Sequence, residues 1–233
     1  MSGAAVVVLD VNETMLDLSA LDPLFADAFG DAEVRRAWFG LVLQTAFATS
    51  LSGRYVPFGE IARAALDMIA QRRGPALDET RKTRILRALA TLPAHGDVLA
   101  GLGRLHAAGL RLVVLAQASQ ETLEAQLTHA RIRPFLERVF STDAVRRFKP
   151  AAEAYGLVRD AYPASTSFVL VAAHDWDVAG AMRAGFDAAF VARHGTALNP
   201  LDERPVIVEP DLRRVADAVV ARYAAPPHPS AAL

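Results

Sequence analysis

Short apolar, β-branched runs alternate with helical segments over the C-terminal part of this chain, and this alternation constrains its fold most strongly. The first run is Val6–Leu9. The other predicted strands are 110–115, 139–141, 168–171, 188–191 and 206–208. Helical spacing of apolar residues predicts intervening helices at 97–108, at 120–129 after a Ser119 N-cap, at 151–161, at 177–184 before Gly185, and at 212–223. We therefore predict an α/β fold with a doubly wound parallel sheet.

The stretch 15–92 departs from this alternation. It is helical in pattern at Val34–Leu51, at Phe58–Arg73 and at 78–92, with no β-branched run between these segments. We predict that 15–92 is a helical cap inserted after the first strand. The sheet core then comprises 1–14 and 93–233, with a frayed tail at 224–230.

Composition excludes several classes of function. Lys plus Arg number 25 and Asp plus Glu 26, so the net charge is −1, and no basic patch favours nucleic acid. The chain has no cysteine, which excludes disulfides and thiolate catalysis and fits a reducing, cytoplasmic location. The apolar opening is too short for a signal peptide, and no run approaches the ~18 apolar residues of a membrane span.

Charged residues follow several of the predicted strands. In an open parallel sheet, ligands bind beyond the carboxyl ends of the strands. Asp10 follows the first strand, the segment after the third runs to Lys149, and 172–177 follows the fourth with three acidic or basic side chains. A lysine next to a carboxylate keeps that carboxylate ionised and nucleophilic at neutral pH. We expect these groups to converge at one edge of the sheet.

Three short motifs, in this order and spacing, resemble those of the haloacid dehalogenase superfamily. They are Asp-Val-Asn-Glu-Thr at 10–14, Phe-Lys-Pro at 148–150, and His-Asp-Trp-Asp at 174–177 followed by Gly-Ala at 180–181. The resemblance is to the type II, or L-2-haloacid dehalogenase, branch, and it extends to Tyr223. It implies a Rossmann-like core with a helical cap that closes over the active site.

The resemblance implies roles for the motif residues. Asp10 would attack carbon, displace halide and form an ester that water hydrolyses to a 2-hydroxy acid. Lys149 would orient Asp10 and offset its charge, Asp177 would position the water, Tyr155 would support this group, and Trp176 would form a wall of the substrate pocket. No cofactor is implied, and the partner is a small carboxylate molecule. Members of the family are often dimers, although the sequence shows no self-association surface.

The residue two places after the nucleophile separates two chemistries. Phosphatases of the superfamily carry an aspartate there as general acid, whereas this chain has Asn12, which cannot donate a proton as a carboxylic acid does. A halide leaving group needs no such proton, so Asn12 favours carbon–halogen cleavage. Thr14 also falls at the family spacing and supports the assignment of Asp10.

This chain departs from the dehalogenase pattern at the residues that bind substrate. Ala116-Gln117 replaces a Ser or Thr followed by Asn, so we expect Gln117, Ser119 and backbone N–H groups to hold the substrate carboxylate. His174 stands where the dehalogenases usually have Asn.

The halide-binding arginine of the dehalogenases is also missing from its usual place. That arginine follows a cap tryptophan, whereas Trp38-Phe39 is followed by Gly40. Arg35, Arg36 and Arg54 are the neighbouring candidates for its role.

Alternative interpretations remain at this stage. Asp177 and Ser119 could serve as helix N-caps, and His174 could be a structural histidine. One rival function is a Mg²⁺-dependent phosphatase in which Asp10 and either Asp175 or Asp177 bind the metal. Another is a catalytically weak member of the family that binds a metabolite.

Overall fold

The structure is a computed structural model that describes residues 5–74 and 77–224. Within these residues the strands form one six-stranded, all-parallel sheet in the order β3-β2-β1-β4-β5-β6. The strands are β1 (Val6–Leu9), β2 (Arg111–Ala116), β3 (Arg138–Ser141), β4 (Phe168–Ala172), β5 (Asp187–Val191) and β6 (Ile207–Glu209). The predicted α/β class and parallel sheet are confirmed.

Alternate side chains of each strand enter two separate apolar clusters, one on each face of the sheet. Val7 and Leu9 of β1 face the cluster that holds the helices α5 (Val98–Ala107) and α9 (Leu212–Tyr223). Val6 and Val8 face the cluster of α7 (Ala152–Arg159) and α8 (Asp175–Arg183). The two-residue period of a strand produces this division, and burial on both faces explains the continuous apolar runs.

Within the described part of the chain, four α-helices are inserted between β1 and α5. They are α1 (Asp22–Phe29), α2 (Val34–Leu51), α3 (Phe58–Arg73) and α4 (Glu79–Ala88). The indole N–H of Trp38 in α2 donates to the backbone oxygen of Ala62 in α3 over 2.9 Å, in a buried position. The bounds of α2 and α3 agree with the prediction, whereas the sequence analysis did not identify α1, whose first turn carries a proline.

Other element boundaries shift by a few residues. The stretch 78–92, predicted to be helical, consists of α4, which ends at Ala88, and a 3₁₀ turn, Leu89–Thr91, that follows it. The helix α8 begins at Asp175, two residues earlier than predicted, and ends before Gly185, whose φ is +87°. The predicted frayed tail lies outside the described residues beyond 224. None of the described helices is both long and apolar enough to cross a bilayer.

The strand order fixes where a ligand can bind. The chain proceeds outward from β1 to β2 and β3, and then returns to the other side of β1 with β4. Connections therefore leave β1 and β4 in opposite directions, which opens a crevice beyond their carboxyl ends. Asp10 and the segment 173–177 occupy this position. A helix between β2 and β3, α6 (Gln120–His129), begins at the same edge of the sheet.

Candidate active site

Asp10 follows β1 directly, and both of its carboxylate oxygens accept hydrogen bonds. The Lys149 ammonium donates to Oδ1 over 2.8 Å, and the Thr14 hydroxyl donates to Oδ2 over 2.6 Å. Nδ1 of His174 lies 3.2 Å from Oδ2. The Asp10 side chain is only 7% exposed. Burial alone would raise the pKa of Asp10, but Lys149 and His174 hold it well below its usual range.

Lys149 is fully buried between two carboxylates. Its ammonium donates to Oδ2 of Asp177 over 2.5 Å as well as to Asp10, and the Tyr155 hydroxyl donates to Oδ1 of Asp177 over 2.8 Å. Burial lowers the pKa of Lys149, but the two carboxylates outweigh it and raise that pKa above its usual value. Burial, together with the Asp10 charge, raises the pKa of Asp177. Lys149 is therefore a buried cation that is hydrogen-bonded to both carboxylates.

Asp177 does not cap α8. It lies inside the first turn of the helix, whereas His174 occupies the N-cap position without a capping hydrogen bond from its side chain. The oxygens of Asp177 are used by Lys149 and Tyr155, so the N-cap alternative for this residue is wrong. The Tyr155 hydroxyl also donates to the Asp177 backbone oxygen over 3.1 Å, which ties α7 to α8 at the site.

The loop after β1 is held by a second set of contacts. The Thr14 hydroxyl, which donates to Asp10, accepts from the backbone N–H of Ala173 over 2.9 Å. The Thr14 backbone oxygen accepts from Arg193 over 2.8 Å, and Arg193 is itself paired with both oxygens of Asp97 at 2.8 Å. These contacts fix the Thr14 hydroxyl, and through it the plane of the Asp10 carboxylate.

His174 bridges two carboxylates. Its Nδ1 faces Asp10, and its Nε2 lies 3.0 Å from Oε2 of Glu13. An ionised carboxylate only accepts hydrogen bonds, so both ring nitrogens must donate and the ring is an imidazolium. Burial lowers the pKa of His174, but its contacts with Asp10 and Glu13 raise it to about 10. The structural alternative for His174 is therefore incomplete, because the ring contacts the candidate nucleophile.

A cleft of about 400 Å³ lies between the sheet edge and the inserted helices. The apolar side of the cleft is formed by the inserted helices and the turn after them: Trp38, Phe39, Val42, Phe58, Leu86 and Leu89. The sheet side contributes Asn12, Ser119 and Asp143, and Gln126 of α6 also lines it. Such a mostly apolar cavity with a few polar groups suits a small organic ligand.

The predicted substrate-binding residues lie in different surroundings. Ser119 lines the cleft and also caps α6, where its side chain accepts from the Thr122 backbone N–H over 3.2 Å. Gln117 is buried, and its Oε1 has no hydrogen-bond partner among the described residues. Trp176 is half-buried, with its ring centroid 5.0 Å from that of His174 and 6.0 Å from the Lys149 ammonium.

None of the three arginines considered for halide binding lines this cleft. Arg35 is buried and pairs with Asp22, and one of its terminal nitrogens lies 3.7 Å from Glu13. Arg36 and Arg54 are exposed. Gly40 is exposed on α2 and does not line the cleft either. The expected arginine at this position is therefore not replaced by any of these neighbours.

Across 5–74 and 77–224, no three or more side chains of the metal-ligating types are grouped so that they could hold an ion. Asp175 is half-buried at the start of α8, and its carboxylate makes no hydrogen bond or ion pair with the described residues.

Sequence reasoning gave no role to Glu13 or Arg193. Glu13 stands inside the first motif, and its φ of +60° is unusual for a residue other than glycine. In the sequence, Glu13 could have been noticed as the charged residue between Asp10 and Thr14. Arg193 follows β5 by two residues, so the same reasoning about strand ends would have found it.

Comparisons with known proteins agree with this geometry. The family model of the haloacid dehalogenase-like hydrolases matches residues 4–185. The (S)-2-haloacid dehalogenase H-109 of Pseudomonas putida is 28% identical over 214 residues, which are 91% of this chain and 96% of that protein. The haloacetate dehalogenase H-2 of Moraxella sp. (strain B) is 29% identical over 184 residues, which are 78% of this chain and 80% of the other.

A solved structure gives the same result for the fold. The L-2-haloacid dehalogenase of Xanthobacter autotrophicus superposes with a TM-score of 0.85 at 25% identity, over 93% of this chain and 98% of that one. The extent of the family match, together with these relatives, confirms the resemblance in the sequence motifs. The chain belongs to the haloacid dehalogenase-like hydrolases, in the branch of the L-2-haloacid dehalogenases.

Proposed function

We propose that this protein is a hydrolase that displaces halide from C2 of a small 2-haloacid and forms an ester on Asp10, which water then cleaves to a 2-hydroxy acid. The observation that carries the proposal is the buried Asp10 carboxylate, ionised beside Lys149 and followed two residues later by Asn12. The relatives named above are dehalogenases of such acids, which supports the same reaction here.

The first step needs an ionised carboxylate and no proton donor. Lys149 and the Thr14 hydroxyl hold the Asp10 carboxylate in one orientation, so little entropy is lost when it attacks carbon. Halide leaves as a stable anion, and the Asn12 amide can donate a hydrogen bond but not a proton. In a phosphatase the alkoxide leaving group requires an acid at this position, and for that reason Asn12 and the named relatives do not favour that alternative.

The substrate would occupy the cleft, which Asn12 and Ser119 line from the sheet side; the Asp10 carboxylate itself does not line it. The aromatic and aliphatic wall of the cleft would pack against the carbon chain of the acid, and aromatic ring edges carry the partial positive charge that a departing halide needs. Ser119 and the backbone N–H groups at the start of α6 would hold the substrate carboxylate, because a helix N-terminus attracts anions. Gln117 precedes this turn and Trp176 lies across the site beside His174.

The experiment is a single turnover in H₂¹⁸O with enzyme in excess over (S)-2-chloropropionate. We expect chloride release, lactate without label, and one ¹⁸O in the peptide that contains Asp10, because water attacks the ester carbonyl. Asp10→Asn should release no chloride and form no ester. Chloride release with the label in lactate instead would contradict the ester mechanism, and no release across chloro- and bromo-acids would contradict the function.

Two further expectations remain proposals. A homodimer follows from the family resemblance, and light scattering after size-exclusion chromatography measures it. A cytoplasmic location follows from the cysteine-free composition, and cell fractionation tests it.

Addition of EDTA should leave halide release unchanged, because the proposed reaction uses no metal.

A further inference from the structure

The two oxygens of Asp10 are not equivalent. Oδ2 accepts from Thr14 and lies within reach of His174, whereas Oδ1 accepts from Lys149 alone among the described residues. Each carboxylate oxygen has about two lone-pair sites, so both sites of Oδ2 are used and one site of Oδ1 is free. Oδ1 is therefore the oxygen that can attack carbon. Oδ2 then becomes the carbonyl oxygen of the ester and keeps its two donors.

His174 is fixed so that it donates to Oδ2. Its far nitrogen is held by Glu13 at 3.0 Å, and its ring stacks on Trp176 with centroids 5.0 Å apart. The ring of Phe39 lies 6.5 Å from it on the side of the inserted helices. The His174 side chain is 10% exposed, so water does not compete freely for its N–H groups.

We propose that His174 is a catalytic residue of ester hydrolysis, in which its imidazolium binds the negative charge that forms on Oδ2, and that Glu13 is the positioning residue that keeps the ring protonated. The inference rests on the proposed function, because it requires the Asp10 ester. Hydrogen-bond donors aimed at such an oxyanion make a large contribution to acyl transfer, since they meet the charge where it develops.

Water attacks Cγ of the Asp10 ester, a C–O bond forms, and the π electrons move onto Oδ2, where His174 and Thr14 donate to them. The water passes one proton to the Asp177 carboxylate. The carbonyl then re-forms, the Cγ–Oδ1 bond breaks, and the leaving alkoxide takes a proton from the Lys149 ammonium, which regains one from Asp177. The second proton of the water leaves to solvent as the new carboxylate ionises.

The charges around His174 predict how this step depends on pH. Asp10 and Glu13 face the ring directly, Lys149 lies on the other side of Asp10, and Arg35 approaches Glu13 from α2. In the resting enzyme the pKa of His174 is about 10. The ester has no charge on Asp10, so the pKa of His174 falls below this value while the contact with Glu13 opposes the fall. Hydrolysis should therefore be lost as pH rises through a value below about 10.

The test separates ester formation from ester hydrolysis by rapid quench with (S)-2-bromopropionate as the probe. Bromide release and intact-protein mass are followed for wild type, His174→Phe and His174→Asn, with the exposed His129→Asn as a control. Phenylalanine keeps the stacking on Trp176 but donates nothing, whereas asparagine restores a neutral donor. We expect His174→Phe to release one equivalent of bromide and hydrolyse its ester about 10²- to 10³-fold more slowly, so that the ester accumulates. His174→Asn should lie between this variant and wild type.

Each other outcome is decisive. If His174→Phe slows bromide release and accumulates no ester, or hydrolyses at the wild-type rate, the inference is wrong while the proposed function stands. If wild type itself releases no bromide and forms no ester, the proposed function fails and the inference with it.

A second variant tests Glu13 without removing the ring. Glu13→Gln keeps an acceptor for Nε2 but removes the charge, so the alkaline limb of hydrolysis should move down by about one pH unit. If the alkaline limb of hydrolysis is unchanged in Glu13→Gln, the role assigned to Glu13 is wrong. This result holds even if His174→Phe does not fold.

Discussion

The sheet edge and the inserted helices carry their charges in opposite ways. At the sheet edge, the side chains of Asp10, Lys149 and Asp177 are 7%, 0% and 0% exposed and form one connected group. In the inserted helices, ion pairs such as Arg63–Glu79 are about half exposed or more. The sheet edge therefore has charges that salt and water hardly weaken, whereas exposed pairs of the inserted helices such as Arg63–Glu79 are screened.

The apolar residues of the two regions also differ in use. In the insertion, large rings such as Phe25, Trp38 and Phe58 fill the interior, and Trp38 and Phe58 also reach the cleft. In the sheet, valines and leucines of the strands fill the interior, and Asp10 follows the end of β1. We infer that the sheet edge performs the chemistry and that the insertion shapes the cavity. Substitutions at the two places should therefore differ in kind.

The largest expected effect comes from Asp10→Asn at the sheet edge. The amide cannot displace halide, so kcat for halide release should fall by about 10⁴-fold or more, as for other removed nucleophiles. Thermal unfolding should remain cooperative, because Lys149 keeps Asp177 as a partner. Halide release within tenfold of wild type would show that the insertion or another group supplies the nucleophile.

Lys149→Met tests whether a buried cation between buried carboxylates contributes more to stability than a buried cation between exposed ones. The substitution leaves Asp10 and Asp177 buried without their shared cation, so the free energy of unfolding in urea should fall by about 3–5 kcal/mol. Lys82→Met in α4 is the matched control, because Lys82 also contacts two carboxylates, Asp67 and Glu79, which are 46% and 72% exposed. Lys82→Met should lower the free energy of unfolding by clearly less than Lys149→Met does. Equal losses would remove the distinction between the two regions.

The sequence predicted the framework of the sheet edge better than its fine contacts. The apolar runs located the six strands, and the residues after them included Asp10, Lys149 and Asp177, because the end of a parallel strand is a local property of the chain. The bridge from His174 to Glu13 was not predicted, since it depends on a loop with a positive φ at Glu13. Such a contact joins residues 161 positions apart, which no local pattern records.

For the inserted helices too, the sequence predicted the elements but not how they face the site. Helical periodicity gave the bounds of α2 and α3, but it could not orient α2 relative to the cleft. Gly40 follows Trp38 and Phe39 in sequence, yet of these three residues only Trp38 and Phe39 line the cavity, because successive residues on a helix point about 100° apart. The sequence alone could therefore not show which residue takes the place of the missing halide-binding arginine, and neighbours such as Arg36 do not line the cleft.

Glycine substitutions provide a smaller and more local comparison. A methyl group at Gly180 in α8 would overlap the Tyr155 hydroxyl and the ring of Pro150. Gly180→Ala should cost about 1–3 kcal/mol of stability and displace Tyr155 from Asp177, with a fall in kcat. Gly40→Ala in α2 meets nothing within 4 Å, so it should stabilise the protein by about 0.5–1 kcal/mol with unchanged kcat. Urea titration and halide assays measure both, and a loss of stability in both would contradict the packing described.

The smallest expected effect concerns Ser119, where the sheet edge meets the cleft. Ser119→Ala removes the N-cap of α6 and should lower the free energy of unfolding by about 1 kcal/mol. Ser119→Asn keeps a capping oxygen and should retain that stability. If the hydroxyl also binds the substrate carboxylate, KM for 2-chloropropionate should rise in both variants while kcat changes little, because such a contact holds ground state and transition state alike. If KM rises only in Ser119→Ala, the variant that loses stability, Ser119 serves only as the N-cap of α6.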